Sequence, residues 1–303
     1  MPLGYDRRLF ILAFDHRGSF QKKMFGISGE PNAEEARTIA DAKSLIFEGF
    51  QLALSDGAPH DAAGVLVDEQ FGETVARKAK ADGLILAMPV EKSGLDEFDF
   101  EYGSDFGAHI EAFDPTFTKV LVRYNPEGDP ELNRRQAGRL RELSAWLHAR
   151  DRKFLFELLV AATPAQLSSV GDSAQRYEAE LRPGLMVGAI HALQEAGVEP
   201  DVWKIEGVDS PADCERIAAE ARAGGRDGVS CVVLGRGADS AQVDSWLRAG
   251  AGVPGYVGFA IGRSIFWDAV KGWLDTSQDR GAAARLIADN YRRFIDVYEA
   301  AAP

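Results

Sequence analysis

The stretch Leu9-Phe-Ile-Leu-Ala-Phe-Asp-His-Arg-Gly-Ser19 decides between two folds for this chain. Its apolar half, Leu9–Phe14, is typical of a buried strand, and Asp15 ends it. An open, doubly wound sheet usually carries a glycine-rich phosphate fingerprint directly after its first strand. Neither that fingerprint nor a Walker A pattern follows here. The stretch therefore favours the other common arrangement of alternating strands and helices, a closed barrel.

Seven more short apolar segments follow along the 303 residues, separated by helix-like patterns. The predicted strands are Leu9–Phe14, Ala63–Val67, Leu84–Met88, Val120–Tyr124, Phe154–Val160, Val202–Ile205, Cys231–Leu234 and Tyr256–Ile261. The clearest helical patterns are Glu34–Asp56, Glu131–Arg150, Gly184–Ala196, Pro211–Ala223 and Arg280–Glu299. Strands that alternate with helices form parallel sheets. Eight such units predict a single (β/α)8 TIM barrel domain over residues 1–303, closed by the helix at Arg280–Glu299.

Two segments between these elements are long enough to cover the mouth of the barrel. Glu91–Pro115, rich in Asp, Glu, Gly and Phe, is predicted to be a long loop. Ala161–Arg182, after the fifth strand, is a second candidate lid. No linker or low-complexity stretch divides the chain, which is why we expect one domain.

Composition restricts the partners. The net charge of −13 argues against nucleic acid or an anionic membrane as partner. No apolar run approaches the length of a membrane span. Cys214, Cys231 and the five histidines show no metal-ligand spacing, so we expect neither a metal nor another cofactor, and a cytoplasmic location. A homo-oligomer is compatible with the sequence.

Lys204 is the most informative single residue, because it is a lone cation within the strand-like stretch Asp201-Val-Trp-Lys-Ile-Glu206. A lysine that points into a packed core loses its water, which disfavours the ammonium and lowers the pKa of the amine. Such an amine can attack a carbonyl carbon and form a Schiff base. The alternative is an ordinary lysine that extends to solvent at an edge.

Carboxylates accompany Lys204 at the carboxyl ends of the strands, where the active site of this fold lies. Glu157 sits in an apolar strand, so we expect its pKa to be raised and its role to be that of acid and base, unless it forms a structural ion pair. Glu206 shares a strand face with Lys204 and is a rival for this role. Asp15 either serves chemistry or caps a turn. Asp68 is a weaker candidate for a functional residue and is also compatible with a simple loop position.

Two glycine-containing turns predict a phosphate site. Gly262-Arg-Ser264 follows the eighth strand and precedes a helix, whose first N–H groups and dipole attract anions. Gly235-Arg-Gly237 follows the seventh strand and offers a second wall. Gly262, Arg263, Gly235 and Arg236 are therefore candidate binding residues, the alternative being that the glycines only form turns.

These residues resemble a known group of enzymes, the class I aldolases of the tagatose-bisphosphate type. The chain resembles still more closely the aldolase-like domain of bacterial inositol catabolism, which also occurs fused behind a 5-dehydro-2-deoxygluconokinase. The motifs that carry the resemblance are Ala13-Phe-Asp-His-Arg-Gly18, Val67-Asp68, Glu91-Lys-Ser-Gly94, Lys119-Val-Leu-Val-Arg-Tyr124, Phe156-Glu157, Val202-Trp-Lys-Ile-Glu206 and Gly262-Arg263.

The resemblance implies a Schiff base at Lys204 with Glu157 as its acid and base partner. It also implies that Lys119 and Asp15 orient substrate hydroxyls and tune the amine, and that Arg263 and the Gly262 backbone hold a phosphate. The chain departs from the family pattern in two places. Gly235-Arg236 stands where a hydroxyl-bearing residue is usual, and His16 stands where the family usually has Gln.

The function expected from the resemblance is metal-independent cleavage of 2-deoxy-5-keto-D-gluconate 6-phosphate to dihydroxyacetone phosphate and malonate semialdehyde. Arg17, Arg123 or Arg236 would meet the carboxylate of this substrate. Lys119 starts the predicted fourth strand and Arg123 lies nearer its end, so either could contact the substrate. The alternatives are an aldolase for a ketose bisphosphate or sulfosugar phosphate, and a non-catalytic barrel that binds sugar phosphates beside a kinase.

Overall fold

The computed structural model describes residues 2–302 and shows a closed barrel of eight parallel strands in the order β1 to β8, with β8 paired to β1. This arrangement is the predicted (β/α)8 TIM barrel. The strands are β1 (Leu9–Ala13), β2 (Ala63–Leu66), β3 (Ile85–Pro89), β4 (Phe117–Arg123), β5 (Lys153–Leu159), β6 (Val202–Glu206), β7 (Ser230–Leu234) and β8 (Tyr256–Ile261).

Helices on the outside connect each strand to the next. They are α1 (Gly18–Phe25), α2 (Ala33–Ser55), α3 (Glu69–Ala81), α4 (Phe106–Phe113), α5 (Pro130–His148), α6 (Pro164–Ser169), α7 (Ala174–Arg176), α8 (Arg182–Glu195), α9 (Pro211–Ala221), α10 (Ser240–Ala251), α11 (Arg263–Leu274) and α12 (Arg280–Ala301). A 3₁₀ turn (Gly103–Asp105) precedes α4, and a π-helical turn (Tyr177–Leu181) leads into α8. No helix within residues 2–302 is long and apolar enough to cross a membrane.

The strands are apolar on both faces because each face packs against a different core. Alternate residues of a strand point to opposite sides. In β1, Leu9 and Ile11 belong to the small core inside the barrel, whereas Phe10 and Leu12 belong to the larger core between the strands and the helices. This double burial explains why the strands read as continuous apolar runs rather than alternating ones.

The amino-terminal segment closes the bottom of the barrel. Asp201, at the start of β6, accepts hydrogen bonds from the backbone N–H groups of Gly4 (2.8 Å) and Phe154 (2.8 Å). Lys153 Nζ donates to the carbonyls of Pro2 (2.7 Å) and Gly4 (2.9 Å). The Tyr5 ring then packs edge-on against Phe117 inside the barrel. The end opposite the predicted active site is therefore sealed.

One predicted loop contains regular structure. Residues 91–115 were expected to form a long loop, and this expectation is wrong for α4, because Phe106, Ile110 and Phe113 recur at helical spacing and bury one face of the segment. The preceding part is a short hairpin in which Glu91 pairs with Phe100. All eight predicted strands are present, with boundaries within three residues of those expected, and the predicted closing helix is α12.

Candidate active site

Lys204 and Glu157 lie next to each other inside the barrel. They are paired across β5 and β6 in the strand register, so both side chains point to the same side of the sheet. Glu157 Oε2 lies 3.0 Å from Lys204 Nζ, and both residues are buried. Lys204 is therefore not a solvent-exposed edge lysine, and its nearest charged partner is a carboxylate that can take or return a proton.

Lys119 lies at the centre of the charged cluster. It is two positions below Leu121, the residue of β4 that pairs with Glu157, which places its backbone roughly 7 Å deeper in the barrel. Its long side chain reaches upward, so that Nζ lies 2.7 Å from Asp15 Oδ2, 2.8 Å from Glu91 Oε1 and 3.1 Å from Glu157 Oε2. One buried ammonium thus joins three carboxylates that come from three different strand ends.

The cluster holds Lys119 and Asp15 in their charged forms. Burial lowers the pKa of the Lys119 ammonium, but the negative charges of Asp15, Glu157 and Glu91 outweigh it and raise that pKa above its ordinary value. Burial likewise raises the pKa of Asp15, but the positive charges of Lys119 and Lys204 outweigh it and hold that pKa well below its usual range. Lys119 is therefore a fixed positive charge rather than a proton donor.

The expectation of a raised pKa for Glu157 is wrong. Burial does raise it, as its apolar strand indicated, but the ammonium groups of Lys119 and Lys204 have a larger combined effect and lower the pKa of the carboxyl. The sequence showed the apolar neighbours along the strand, whereas the two lysines come from the adjacent strands β4 and β6. Glu157 is thus an ionised carboxylate, ready to accept a proton.

Glu206, the alternative to Glu157 as acid and base, contacts residues outside the lysine cluster. Its Oε1 lies 3.2 Å from Arg182 Nη1 and 3.0 Å from Arg236 Nε, and its Oε2 accepts a hydrogen bond from the Val160 N–H (2.9 Å). Arg236 also pairs with Glu178 of the second candidate lid, at 2.7 Å. The geometry therefore favours Glu157 as the proton acceptor and gives Glu206 a role in fastening the lid segment to the barrel.

The two glycine-containing turns come together at the ends of β7 and β8. The Arg263 guanidinium donates to the carbonyl of Arg236 (2.6 Å) and lies against Gly237, where a Cβ would come within 2.6 Å of it. Gly262 is required because a Cβ there would lie 2.0 Å from the Ala13 carbonyl oxygen. Gly262 immediately precedes α11 and has no side chain to cap the N–H groups of its first turn. These N–H groups and Arg263 form the candidate phosphate site, with Gly235 at the end of β7 beside it.

Two other candidate residues have structural partners. Asp68 is fully buried, pairs with Lys43 and caps α3 by accepting from the Phe71 N–H (2.9 Å). Arg123 lies at the rim, where it donates to the Leu95 carbonyl (3.0 Å) and holds the hairpin after β3. Of the two cations on β4, it is thus Lys119 that belongs to the cluster. Among residues 2–302, no group of three His, Cys, Asp or Glu side chains is arranged to hold a metal.

A family model described as an uncharacterized protein conserved in bacteria (DUF2090) matches residues 5–302. The chain belongs to this family.

Two relatives carry an enzymatic name. The chain is 24% identical over 200 residues to tagatose 1,6-diphosphate aldolase 1 of Streptococcus pyogenes, a match that covers 64% of this chain and 57% of that protein. It is 27% identical over 200 residues to tagatose 1,6-diphosphate aldolase of Listeria monocytogenes, covering 64% and 54%. The chain thus matches little more than half the length of these relatives.

A solved structure of fructose-bisphosphate aldolase from Plasmodium falciparum has a similar fold. The TM-score is 0.67 at 13% sequence identity, and the match covers 97% of this chain and 91% of that one. At this identity the similarity concerns the fold alone.

Two functional candidates were missed or underused by the sequence reasoning. Glu91 entered the sequence analysis only as the start of a predicted loop and of one family motif, yet it contacts Lys119 directly. His16 was noted only as a departure from the family pattern, yet its Nδ1 is buried without a partner, its ring packs against Phe266, and burial lowers its pKa to about 4. Their positions after the ends of β3 and β1 were the available signal.

Arg17 is buried and faces the segment after β3. It donates to the Glu91 carbonyl (2.6 Å) and pairs with Glu101 (2.9 Å). It therefore lies beside Glu91 and Lys119, whereas Arg236 lies beside Arg263.

Proposed function

We propose that this protein is a class I aldolase that forms a Schiff base at Lys204 and cleaves a phosphorylated keto sugar. The observation that carries the proposal is the buried contact of 3.0 Å between Lys204 Nζ and Glu157 Oε2, with Lys119 Nζ 3.1 Å from the same carboxylate oxygen. An amine next to a carboxylate can lose its proton to it and attack a carbonyl. The sequence similarity to aldolases supports this reading.

The reaction would proceed through an iminium. As Lys204 attacks the ketone carbon of the substrate, Glu157 takes the proton of its ammonium and returns it to the carbinolamine hydroxyl, which leaves as water. The resulting iminium draws electrons from the neighbouring carbon–carbon bond, and Glu157 is again a carboxylate. Glu157 removes the proton of the hydroxyl at the far end of that bond, the bond breaks, and an aldehyde departs. The remaining enamine is then protonated and hydrolysed, which frees Lys204. The iminium serves as the electron sink, so this route needs no metal.

Two neighbours assist this sequence without exchanging protons. Lys119 keeps its charge throughout, because three carboxylates stabilise it. It would hold Glu157 and Asp15 in place and polarise the substrate hydroxyls between them. Asp15, ionised across the neutral pH range, would accept a hydrogen bond from a second hydroxyl. The phosphate would bind at Arg263 and the first turn of α11.

The substrate that the family resemblance indicates is 2-deoxy-5-keto-D-gluconate 6-phosphate, with dihydroxyacetone phosphate and malonate semialdehyde as products. A ketose bisphosphate is the second candidate, and it is favoured by the names of the relatives, which are tagatose 1,6-diphosphate aldolases. Both substrates would share the phosphate site at Arg263 and the carbonyl at Lys204. They differ in the anionic group at the opposite end.

The proposal is tested by borohydride trapping with dihydroxyacetone phosphate followed by peptide mass spectrometry. We expect a stable adduct on the peptide that contains Lys204, and none in Lys204→Met. Lys153→Met is a matched control, since that lysine lies at the sealed bottom of the barrel and should leave trapping intact. An adduct on Lys119, or phosphosugar binding without any adduct in the wild-type protein, would refute the assigned nucleophile. The second outcome would instead favour a non-catalytic, sugar-phosphate-binding barrel.

A further inference from the structure

Two buried polar atoms beside the lysine cluster have no partner among the residues that the structure describes. They are Oε2 of Glu91 and Nε of Arg17. Each residue is only 8% exposed, and Arg17 Nη2 lies 3.7 Å from Glu91 Oε1. A buried polar atom without a hydrogen-bond partner is unfavourable, because it has lost its contacts with water. A neighbouring donor and acceptor, both free and both at the site, therefore indicate a place where a ligand completes the hydrogen bonds.

Glu91 lies across the barrel from the loop that Arg263 contacts. In a closed barrel with the strand order β1 to β8, β3 stands across the barrel from β7. Glu91 follows β3, whereas Arg263 contacts the loop that follows β7. Arg17 follows β1, next to β8, but its guanidinium reaches the Glu91 carbonyl. A substrate that extends from Arg263 past Lys204 to the side of Glu91 would therefore meet both residues. The terminal group of the substrate on that side would contact Arg17 and Glu91.

The charges around Glu91 determine which group that can be. Lys119 from β4, Asp15 and Arg17 after β1, and Glu157 from β5 through Lys119 all act on it, and Glu101 stands at the rim on the far side of Arg17. The buried cluster contains three carboxylates and three cations, which are Asp15, Glu91 and Glu157 against Lys119, Lys204 and Arg17. An added carboxylate would leave one uncompensated negative charge unless it arrives with a proton.

Glu91 is the member of the cluster that can take this proton. Burial raises the pKa of its carboxyl above the ordinary value, against the opposing charges of Lys119 and Arg17, whereas the pKa values of Asp15 and Glu157 are lowered. Its Oε1 accepts from Lys119, whereas its Oε2 has no partner among the described residues, so a proton on Oε2 would leave the contact with Lys119 intact. Two carboxyl groups in contact readily share one proton.

We propose that Arg17 and Glu91 form the subsite for a substrate carboxylate at the end remote from the phosphate. Arg17 Nε donates to one carboxylate oxygen, and Glu91 takes up one proton from solvent and donates from Oε2 to the other oxygen. This inference rests on the proposed aldolase function. It selects Arg17 among the three arginines that the sequence left open, since Arg123 holds the rim hairpin and Arg236 lies beside Arg263.

The test uses the condensation of dihydroxyacetone phosphate with two aldehydes of equal chain length, malonate semialdehyde and propanal, which lacks the carboxylate. For the wild-type protein we expect the KM for malonate semialdehyde to rise with pH by up to about tenfold per pH unit, because one proton is bound with it. The KM for propanal should not follow this pH dependence.

Variants of Glu91 and Arg17 distinguish recognition of the substrate carboxylate from a purely structural role in holding the Lys119 ammonium. In Glu91→Gln the amide can donate without a proton, so the KM for malonate semialdehyde should become independent of pH. In Arg17→Met we expect that KM to rise at least about tenfold, while the KM for propanal changes less than about threefold. Glu101→Gln is the matched control, because Glu101 also pairs with Arg17 but does not contact Lys119, and the pH dependence should persist.

The contrary outcomes distinguish failure of the subsite from failure of the aldolase proposal. If Glu91→Gln raises the KM for both aldehydes equally, or slows borohydride trapping with dihydroxyacetone phosphate, Glu91 only supports Lys119 and the subsite is refuted. Normal trapping with no preference between the aldehydes refutes the subsite while the aldolase proposal stands. Failure of the wild-type protein to form the adduct refutes the aldolase proposal, and the subsite falls with it.

Discussion

Replacing Lys119 with methionine should change both the size and the pH dependence of the stability of this protein. The substitution keeps a similar side-chain length and removes the one charge that Asp15, Glu91 and Glu157 share at 2.7, 2.8 and 3.1 Å. A pair of unit charges about 3 Å apart interacts by roughly 5 kcal/mol at an effective dielectric constant near 20. The carboxylates would partly avoid that loss by protonation, so we expect the free energy of unfolding at pH 7 to fall by about 3–5 kcal/mol.

The sign of the pH dependence follows from the pKa directions. In the wild-type protein, the pKa values of Asp15 and Glu157 are lowered on folding, so these groups stabilise the fold above the ordinary carboxyl range and lose that contribution on acidification. Of the three carboxyl groups, only Glu91 has a raised pKa, so its contribution to stability decreases as the pH rises. Without Lys119, burial is opposed mainly by Lys204 at Asp15 and Glu157 and by Arg17 at Glu91, so the folded-state pKa of each carboxyl should rise relative to the wild-type protein. Where that pKa exceeds the ordinary value, the contribution of the group is present below about pH 4 and is lost as the pH rises.

Urea unfolding between pH 4 and pH 8 measures this difference. In both proteins the buried His16, whose pKa is lowered to about 4, makes stability rise with pH over part of this range, so the quantity to compare is the difference between the two proteins. Relative to the wild-type protein, Lys119→Met should lose about 1.4 kcal/mol per pH unit for each carboxylate that binds a proton only when folded. Lys153→Met removes a lysine whose partner Asp201 keeps two backbone N–H donors, so it should show a smaller loss and no such slope. A difference in unfolding free energy between Lys119→Met and the wild-type protein that does not depend on pH, or that is below about 1 kcal/mol at pH 7, would refute the role of Lys119 as a shared partner of the three carboxylates.

Further substitutions test the other assignments. Arg263→Ala should raise the KM for dihydroxyacetone phosphate by about 10- to 100-fold with a smaller change in kcat, measured by initial rates of condensation. Glu157→Gln should lower kcat by about 10²- to 10⁴-fold, and Glu206→Gln should instead lower Tm while borohydride trapping persists; equal losses of kcat in both would contradict the choice of Glu157. Because the pKa of His16 is about 4, this side chain is neutral between pH 6 and pH 8, and His16→Gln should leave the pH–rate profile in that range unchanged in shape.

The barrel was predictable because each strand can be identified from its own local sequence. A short apolar run ends in a polar residue, as Leu9–Phe14 does at Asp15, and neither feature depends on distant contacts. The helix at Phe106–Phe113 was not predicted, because acidic residues, Gly and Phe dominate the stretch before it. Its three buried positions are explained only by the structure, in which the hairpin formed by the preceding residues lies beside the helix.

The electrostatics of the site were not predictable from the sequence. Lys204 and Glu157 could be placed on adjacent strands, but the sign of the pKa shift at Glu157 depends on Lys119, which comes from the strand on its other side. Glu91 lies outside any strand, and only the hairpin that pairs it with Phe100 brings its carboxylate to the lysine. The pKa shifts of these carboxylates are therefore determined by contacts between neighbouring strands and loops rather than by the local sequence pattern.

The sealed bottom of the barrel has a practical consequence for attaching the protein to something else. Pro2 and Gly4 are anchored to Lys153 and Asp201 at the end of the barrel opposite Lys204 and Arg263. A linker joined ahead of Pro2 would therefore leave from the rear face, so that immobilisation on a sensor surface through this terminus presents the open mouth to the flowing solution. A tether at that point would load the hydrogen bond between Lys153 and the Pro2 carbonyl before those of Asp201.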